Sequence, residues 1–270
     1  MIKVKDLHYT YPNSDKEILR GINVDILPGE WVAVIGVNGS GKSSFARCLN
    51  GLLTPSQGSV IVDELDTADA ENLWQLRAKL AFMFQNPDNQ FIGASVEEDI
   101  AFGPENLGFP REEISRCVEE ALKVTKLEHL RNKPPHLLSG GEKQQVALAT
   151  AVAMDADYMV LDEPTSMLNP AMRKQILDIL QSMHKKGTTL IYVTNIISEA
   201  LLAQRVLVMA NGRIIRDCTP KELLADSQFL LEQQLELPQI CRIAALLADA
   251  GYEQLRGATS IEEITEILCG

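Results

Sequence analysis

The stretch Gly36–Ser44, GVNGSGKSS, constrains this chain more than any other part of its sequence. It fits the pattern G-x-x-x-x-G-K-[ST] at every fixed position, and it lies between an apolar strand, Trp31–Ile35, and a predicted helix that ends near Gly51. Glycines in such a loop let consecutive backbone N–H groups point at phosphate oxygens, and the helix N-terminus adds the positive end of its dipole. The same letters alone would fit a glycine-rich turn with a surface lysine. The flanking strand and helix favour a phosphate-binding loop.

The side chains of this loop predict how a nucleotide is held. Lys42 is expected to reach the β- and γ-phosphates, and Ser43 is expected to bind Mg²⁺. We therefore expect ATP and Mg²⁺ as cofactors. The other loop positions expected to contact the nucleotide are Gly36, Asn38, Gly39, Ser40, Gly41 and Ser44.

A second apolar strand, YMVLDE, ends in two acids, Asp162 and Glu163. Asp162 is expected beside the phosphate loop as a Mg²⁺ ligand, and Glu163 is placed where it could polarise an attacking water. Paired acids after a strand are often only surface charge, but the phosphate loop makes a catalytic pair the better hypothesis. Phosphoryl transfer depends on positioning and charge neutralisation, which these residues can supply.

The segment Leu137–Ala149, LLSGGEKQQVALA, predicts a second anion site. Ser139 can cap the helix that follows, and Gly140 and Gly141 leave backbone amides bare at its N-terminus. One nucleotide contacts a limited patch, and this motif lies far along the chain from the phosphate loop. The pattern therefore suggests a nucleotide site that two chains share.

The order of these motifs resembles the ATP-binding cassette family over roughly residues 1–219. The positions that match its motifs are the adenine-stacking aromatic residue (Tyr11), the Walker A loop (Gly36–Ser44), the Q-loop (Gln85), the signature (Leu138–Glu142), the Walker B pair (Asp162 and Glu163), the D-loop (residues 166–170) and the switch position (Asn195). The resemblance implies two chains that meet head to tail, each ATP lying between one chain's phosphate loop and the other chain's signature.

Roles follow from this resemblance for each group of residues. Glu163, Asn195 and Gln85 are expected to act in catalysis, and Gln85 is also expected near Mg²⁺ with Ser43 and Asp162. The residues expected to act on the partner chain's ATP are Ser139, Gly140, Gly141 and Glu142.

A narrower resemblance is to the ATPase subunits of energy-coupling factor importers of vitamins and metal ions. It rests on residues 84–108, FQNPDNQFIGASVEEDIAFGPENLG, and on the later stretch LPQICRIAALLADAGY. It implies an ATP-hydrolysing motor that pairs with a second related ATPase and docks on a transmembrane coupling subunit. A small substrate-capturing membrane protein would complete the assembly, and the motor would lie peripherally at the cytoplasmic face of the membrane. Gln90 would lie in a segment that faces the membrane partner.

Three positions depart from the family pattern. Asn195 stands where histidine is usual, Asn169 stands where the D-loop usually has aspartate, and Gln145 stands where arginine is frequent. The last two are interpreted as near-isosteric or surface changes. Asn195 keeps one amide donor for the γ-phosphate, so slowed hydrolysis with intact ATP binding is expected; a second hypothesis is that Asn195 only caps a helix.

The slow hydrolysis leaves an alternative function open, a nucleotide-binding subunit that acts mainly as a structural or regulatory half of a heterodimer. A non-transport cassette protein of DNA repair or translation is another competitor. The formal net charge of -12 disfavours nucleic acid as a partner, because phosphate binding needs a basic face. No run approaches the ~18 apolar residues of a membrane span. The five cysteines form no CxxC pair and are interpreted as reduced thiols.

Alternating strand-like and helix-like segments predict the α/β class. With the resemblance, we expect a mixed-sheet P-loop core, an antiparallel β subdomain, a helical signature subdomain over about 90–155, and a mainly helical appendage over 220–270 that could dimerise. Leucines and isoleucines at helical spacing in the appendage are interpreted as internal core rather than as an interface. They are Leu237, Ile240, Ile243, Leu246 and Leu247.

Overall fold

The computed structural model describes residues 1–255 and 257–269. The strands are β1 (Ile2–Thr10), β2 (Glu17–Ile26), β3 (Trp31–Ile35), β4 (Gln57–Val62), β5 (Leu65–Asp66), β6 (Leu80–Met83), β7 (Tyr158–Asp162), β8 (Thr189–Val193), β9 (Arg205–Ala210) and β10 (Arg213–Cys218). The helices are α1 (Lys42–Leu49), α2 (Leu73–Lys79), α3 (Val96–Asn106), α4 (Arg111–Thr125), α5 (Gly140–Ala153), α6 (Pro170–Lys185), α7 (Ile197–Ala200), α8 (Pro220–Ala225), α9 (Ser227–Glu232), α10 (Gln239–Asp249) and α11 (Ile261–Cys269).

The larger sheet has the strand order β10-β9-β3-β8-β7-β6, and its strands from β9 to β6 are parallel. All residues of β3, β7 and β8 are buried, which explains why their sequences are continuously apolar rather than alternating. Strand β10 pairs antiparallel with β9 and makes the sheet mixed. The expected α/β class and mixed-sheet core are confirmed.

The smaller sheet is antiparallel, with the order β2-β1-β4-β5. Its buried side chains and those on one face of the larger sheet belong to one apolar cluster, which also contains Phe45 and Leu49 of α1. Helix α1 is therefore fixed by packing against both sheets. Strand β2 begins at Glu17, which pairs with Thr10, and Leu19 pairs with Tyr9.

A separate apolar cluster joins α3, α4 and α5, with members between Val96 and Ala153. Ser95 caps α3, since its side chain accepts a hydrogen bond from the backbone N–H of Glu98 at 3.3 Å. This cluster occupies the part of the chain where the helical subdomain is expected.

The C-terminal helices pack in two places. Buried residues of α8, α9 and the start of α10 join the main core, whereas a small cluster of their own is formed by Ala244, Leu255, Ala258 and Ile264. The expectation of internal core is confirmed for Leu237, Ile240 and Leu247, but it is wrong for Ile243 and Leu246, which are 50% and 68% exposed. The boundary at residue 219 stays a prediction. Within the described residues, no helix combines the length and the apolarity needed to cross a membrane.

The β9–β10 turn ties the two sheets to the loop that follows β3. Gly212, at φ +78°, donates its N–H to the Ser40 carbonyl at 3.0 Å, and its own carbonyl accepts from Arg20 N–H at 2.8 Å. A Cβ at this position would lie only 2.1 Å from the Ile18 carbonyl oxygen. Only glycine satisfies both the backbone angle and the close approach.

Replacing Gly212 with alanine should therefore destabilise the fold, by about 1–2 kcal/mol from the left-handed backbone and about 1–3 kcal/mol from overpacking. Gly187→Ala is the matched control, because Gly187 also has a positive φ of +104° but has no atom within 4 Å of the added Cβ. The midpoint of thermal unfolding measures both. Equal losses of stability in the two variants would contradict the packing argument.

Candidate functional site

The loop 36–44 is held open by packing around its first glycine. Gly36 has φ +152°, and a Cβ there would meet the Met209 carbonyl oxygen at 2.2 Å and Ser40 Oγ at 2.8 Å. The buried Ser40 hydroxyl has no hydrogen-bond partner among the described residues. The backbone of this loop therefore runs against β9 with no room for a larger residue, as a close-fitting phosphate cradle requires.

Lys42 lies across the loop and is 5% exposed. Its Nζ donates to the carbonyl oxygens of Gly36 at 2.7 Å and Val37 at 3.2 Å. Burial lowers the pKa of the Lys42 ammonium, and the nearby carboxylates of Glu163 and Asp162 oppose that shift. A phosphate group in the loop would offer this buried cation a stronger partner than two carbonyls.

Ser43 and Asp162 meet at the edge of the sheet where β3 and β7 end. Ser43 Oγ donates to Asp162 Oδ1 at 2.9 Å, and the fully buried Asp162 has its second oxygen without a partner among the described residues. Burial raises the pKa of Asp162, so a cation beside the free oxygen would favour its charged form.

These two oxygen ligands fit Mg²⁺, a hard cation that is held by one or two carboxylates together with substrate phosphates. No group of three His, Cys, Asp or Glu side chains within the described part of the chain is arranged to hold a metal. The residues present therefore suit a metal that arrives with a nucleotide rather than one in an all-protein cage.

The ends of β3, β7 and β8 lie level because of two backbone hydrogen bonds. Glu163 N–H donates to the Val193 carbonyl at 2.9 Å, and Thr194 N–H donates to the Val34 carbonyl at 3.1 Å. Glu163 and Asn195 thus follow neighbouring strands at the edge where the phosphate loop begins. Open α/β sheets bind ligands at this edge.

Glu163 is held in a sparsely populated backbone conformation, with φ +50°. Its Oε2 accepts a hydrogen bond from Gln85 Nε2 at 2.8 Å, so the two expected catalytic residues are in contact. A non-glycine residue with positive φ costs roughly 1–3 kcal/mol, and such strain persists where surrounding structure enforces it. Here the hydrogen bond to β8 enforces it.

Asn195 is exposed and does not cap a helix. Helix α7 begins one residue later than the cap hypothesis requires, with Ile196 at its N-cap position. The side chain that bonds to this turn belongs to Thr194, whose Oγ1 accepts from Ile196 N–H at 3.0 Å. The cap hypothesis for Asn195 is therefore wrong, and its side chain is available to a ligand at the sheet edge.

Tyr11 lies beside helix α1. Its hydroxyl is 3.0 Å from Ser44 Oγ, and its ring packs edge-on against Tyr9 with centroids 4.9 Å apart. The ring is thus fixed next to the phosphate loop, while its stacking on adenine stays a prediction.

The signature turn is a capping box. Ser139 Oγ accepts from Glu142 N–H at 3.3 Å, and Glu142 Oε2 accepts from Ser139 N–H at 2.7 Å. The Glu142 carboxylate accepts from Ser139 N–H and also from Ser139 Oγ, the latter at 2.8 Å, and these two bonds lower the pKa of Glu142 and keep it charged. Gly140 is exposed with nothing near its Cβ position.

No hydrogen bond or ion pair in the described part of the chain joins Ser139, Gly140, Gly141 or Glu142 to the loop 36–44. The signature stands on its own helix, α5. One chain therefore keeps its two predicted anion-binding surfaces apart.

The segment after Gln85 is tied to the signature helix. Gln90 Nε2 donates to the Ala147 carbonyl at 3.1 Å and also contacts Thr150 Oγ1, and Lys143 Nζ lies 2.6 Å from Asp88 Oδ1. The Gln90 side chain thus faces α5 of its own chain, and Ile92 is an apolar side chain of this segment that is 68% exposed.

Gln145 and Asn169, which depart from the family pattern, differ in their burial and contacts. Asn169 Oδ1 accepts from Met172 N–H at 2.9 Å and caps α6, a task that aspartate performs equally well. Gln145 is only 9% exposed, so the interpretation of a surface position is wrong for it.

Sequence reasoning missed a buried carboxylate, Glu199, four residues after Asn195. Thr165 and Thr194 donate to it from the ends of β7 and β8. A usable signal is its place between the buried residues Ile197 and Ala200, where a glutamate needs partners.

Comparison with known proteins places this architecture in a family. Residues 19–166 match the family model described as ABC transporter. The chain is 41% identical to the energy-coupling factor transporter ATP-binding protein EcfA1 of Caldanaerobacter subterraneus, over 100% of this chain and 99% of that protein.

Two solved structures share the fold. CbiO1 from Clostridium perfringens, described as part of the ABC transporter complex CbiONQ, has a TM-score of 0.74 and 39% identity, and covers 90% of this chain and 97% of its own. The dimeric, post-hydrolysis ATP-binding cassette MJ0796 bound to ADP and Pi has a TM-score of 0.75 and 29% identity, over 81% of this chain and 98% of its own. The chain belongs to the ABC transporter family, among the ATP-binding proteins of energy-coupling factor transporters.

Proposed function

We propose that this chain is the ATP-hydrolysing motor subunit of an energy-coupling factor importer, and that it energises uptake of a vitamin or other micronutrient. The observation that carries the proposal is the contact of Gln85 with Glu163 at the sheet edge where Ser43 meets Asp162. A water-activating acid, its orienting amide and a Mg²⁺ site lie together beside a phosphate loop. The printed name of the EcfA1 relative supports the importer class.

The cradle residues would bind ATP as follows. Lys42 would exchange the Gly36 and Val37 carbonyls for β- and γ-phosphate oxygens. Backbone amides of residues 36–44 would surround the phosphates, with Asn38, Gly39, Ser40, Gly41 and Ser44 contributing, and Tyr11 would stack on adenine. Ser43, Asp162 and Gln85 would hold Mg²⁺, which when bound neutralises charge on the phosphates.

Hydrolysis would depend on three side chains. Glu163 would accept a proton from the attacking water, Gln85 would orient that water and Glu163 together, and Asn195 would donate an amide N–H to the γ-phosphate. The Asn195 donor is shorter than histidine and cannot become a cation, so we expect slow turnover rather than none. The intact Glu163 and Gln85 pair argues against a purely structural or regulatory subunit.

Two chains would complete each site. Ser139, Gly140, Gly141 and Glu142 would face the ATP of a second, related ATPase, because one chain keeps its two anion-binding surfaces apart. The dimeric MJ0796 cassette supports a paired arrangement. The name of the CbiONQ complex supports membrane partners, which we propose to be a transmembrane coupling subunit and a substrate-binding membrane subunit. The motor would then lie peripherally on the cytoplasmic face of the membrane.

We further propose that residues 1–219 form the nucleotide-binding domain and that the appendage 220–270 contributes to dimerisation. The exposed apolar side chains of α9 and α10 support this role, namely Leu231 at 74%, Leu246 at 68% and Ile243 at 50% exposure. Leu231 and Leu246 line one groove, and exposed apolar surface of this kind is a frequent mark of an interface.

Glu163→Gln should lower the turnover of the assembled transporter by about 10²-fold or more, because the amide cannot take the proton from water. ATP binding should persist, so the paired ATPases should remain closed on ATP. Steady-state phosphate release and retained nucleotide measure the two effects. Glu64→Gln is the matched control, since Glu64 is an exposed glutamate that also has a positive φ, of +76°. Full activity of Glu163→Gln would remove this residue from the mechanism.

Asn195→His should raise turnover, because histidine reaches further and adds a positive charge near the γ-phosphate. One well-aimed donor is worth on the order of 10²–10³ in rate, which sets the upper limit of the gain. Asn195→Ala should lower turnover further, while the affinity for ATP stays similar in all three proteins. If neither substitution changes turnover, Asn195 does not limit the rate.

Leu246→Asp should weaken pairing of the ATPase subunits, because a charge would enter the proposed apolar contact. The mass of the isolated ATPase pair in solution, measured over a range of concentrations, gives the change in dissociation. Ile261→Asp, at a position that is 66% exposed on α11, tests whether the α9–α10 surface is specific. Equal effects of both substitutions would argue against that surface.

A further inference from the structure

Glu199 is a buried carboxylate that the proposed hydrolysis does not use. It lies in the short helix α7 and is 2% exposed. Burying a carboxylate is costly unless hydrogen bonds and a cation compensate for lost water, so the identity of its partners shows what the residue organises.

Four side chains surround this carboxylate. Thr165 Oγ1 donates to Oε1 at 2.7 Å, Tyr192 OH donates to Oε2 at 2.8 Å, and Thr194 Oγ1 donates to Oε2 at 3.0 Å. The Arg173 guanidinium lies 3.3 Å from Oε1 through its Nε. Burial and the Glu199 charge raise the pKa of Tyr192 well above its ordinary value, so this phenol remains a donor.

Thr194, one of the Glu199 partners, fixes the backbone around Asn195. Thr194 donates its N–H to Val34 of β3, and its Oγ1 both donates to Glu199 and accepts from Ile196 N–H. Asn195 thus lies between two residues whose positions depend on one hydroxyl. Loss of that hydroxyl would free the turn that carries the proposed γ-phosphate donor.

The partners on the other side belong to the segment that follows Glu163. Thr165 is two residues beyond Glu163, and the next residue, Ser166, donates both its N–H and its Oγ to the Glu163 carbonyl, at 3.3 and 3.1 Å. Arg173 lies in the first turn of α6, where Asn169 is the N-cap. Glu199 therefore contacts the segment 165–173 at both of its ends, through a hydrogen bond from Thr165 and an ion pair with Arg173.

The same segment contacts the signature turn. A Cβ added to Gly141 would lie 2.7 Å from Met172 Cε and 3.6 Å from Leu168 Cδ2. The signature glycine is thus packed against two residues that lie between the two Glu199 partners of this segment. A continuous set of contacts runs from Asn195 through Glu199 and the segment 165–173 to Gly141.

We propose that Glu199 is a positioning residue that locks Asn195 and the segment 165–173 into one arrangement, and thereby joins the chain's own phosphate site to its signature turn. The proposal rests on the proposed function, because it assigns Asn195 to hydrolysis and the signature to a partner's ATP. Glu199 touches neither ATP nor water in this scheme. Its effect passes through the two threonine hydroxyls and Arg173.

The first test compares Thr194→Val with Thr194→Ser in the assembled transporter. The valine variant keeps the shape but removes the hydroxyl, and it should lower kcat about tenfold, the effect of losing one hydrogen bond to a charged group. KM for ATP should stay within about threefold, since the cradle is untouched. The serine variant keeps the hydroxyl and should restore most of kcat.

The second test determines whether Thr165 and Thr194 act through the same carboxylate, that of Glu199. Thr165→Val should also lower kcat, and the double variant Thr165→Val/Thr194→Val should lose little more than the worse single variant, because both changes release the same group. Glu199→Gln should reproduce this loss. If Glu199→Gln does not fold, the two threonine variants and their double variant still test the proposal.

Tyr158→Phe is the matched control. Tyr158 OH donates to the Asp63 carboxylate at 2.8 Å, so this substitution, like the threonine variants, removes a hydroxyl that donates to a carboxylate. Tyr158 lies at the beginning of β7, away from the end that precedes Glu163. It should lower the unfolding temperature without changing kcat. If kcat follows thermal stability equally in Tyr158→Phe and Thr194→Val, Glu199 is merely structural and the proposal is overturned.

The outcomes separate this inference from the proposed function. Loss of turnover in Glu163→Gln, with unchanged kcat in both threonine variants, overturns the role of Glu199 alone. Full turnover in Glu163→Gln overturns the catalytic assignment itself, whatever the threonine variants do. If the loss of kcat in Thr165→Val/Thr194→Val equals the product of the two single losses, the threonines act independently and the proposed role of Glu199 is overturned.

Discussion

The register of three buried parallel strands determines most of what this molecule can do. Hydrogen bonds from Glu163 to Val193 and from Thr194 to Val34 set the ends of β7, β8 and β3 at one level. The phosphate loop, the acidic pair and Asn195 each follow one of these ends, so residues far apart in sequence become neighbours. A one-residue slip in any strand would turn these side chains to the opposite face. Complete burial of all three strands is what specifies the register.

Close backbone contacts at two glycines fix the loops relative to these strands. Gly36 lies against β9, Gly212 lies against β2, and helix α1 is packed between two sheets, so the loop 36–44 is fixed at both ends. Glu163 adopts a left-handed backbone angle in the same region. The rigid parts surround the phosphate site, whereas the signature stands on the helical cluster of α3, α4 and α5. That division agrees with the proposal that the two predicted anion-binding surfaces face a partner chain rather than each other.

Short motifs predicted the fold and the contacting pair at the sheet edge because their chemistry depends on local backbone shape. The sequence predicts Gly36–Ser44 as a loop after a strand, and the structure contains it there. Glu199 was beyond such reasoning, because its partners come from two segments, 165–173 and 192–194, that only the tertiary fold brings together around it. The cap role expected for Asn195 is wrong because Thr194, one residue earlier, accepts the hydrogen bond from Ile196 N–H. Ile243 and Leu246 show that helical spacing predicts an apolar face but not what covers it.

Lys42 illustrates how binding strength can be limited by the binding site itself. Its ammonium already has two carbonyl partners, from Gly36 and Val37, so a phosphate gains only the difference between two sets of hydrogen bonds. Hydrogen bonds to charged groups contribute roughly 1.5–3 kcal/mol each, and exchange returns part of that sum. The loop thus carries its own competitor for the lysine. If Lys42 binds the phosphates as proposed, the two carbonyls would take it back after hydrolysis and so favour release of the product nucleotide.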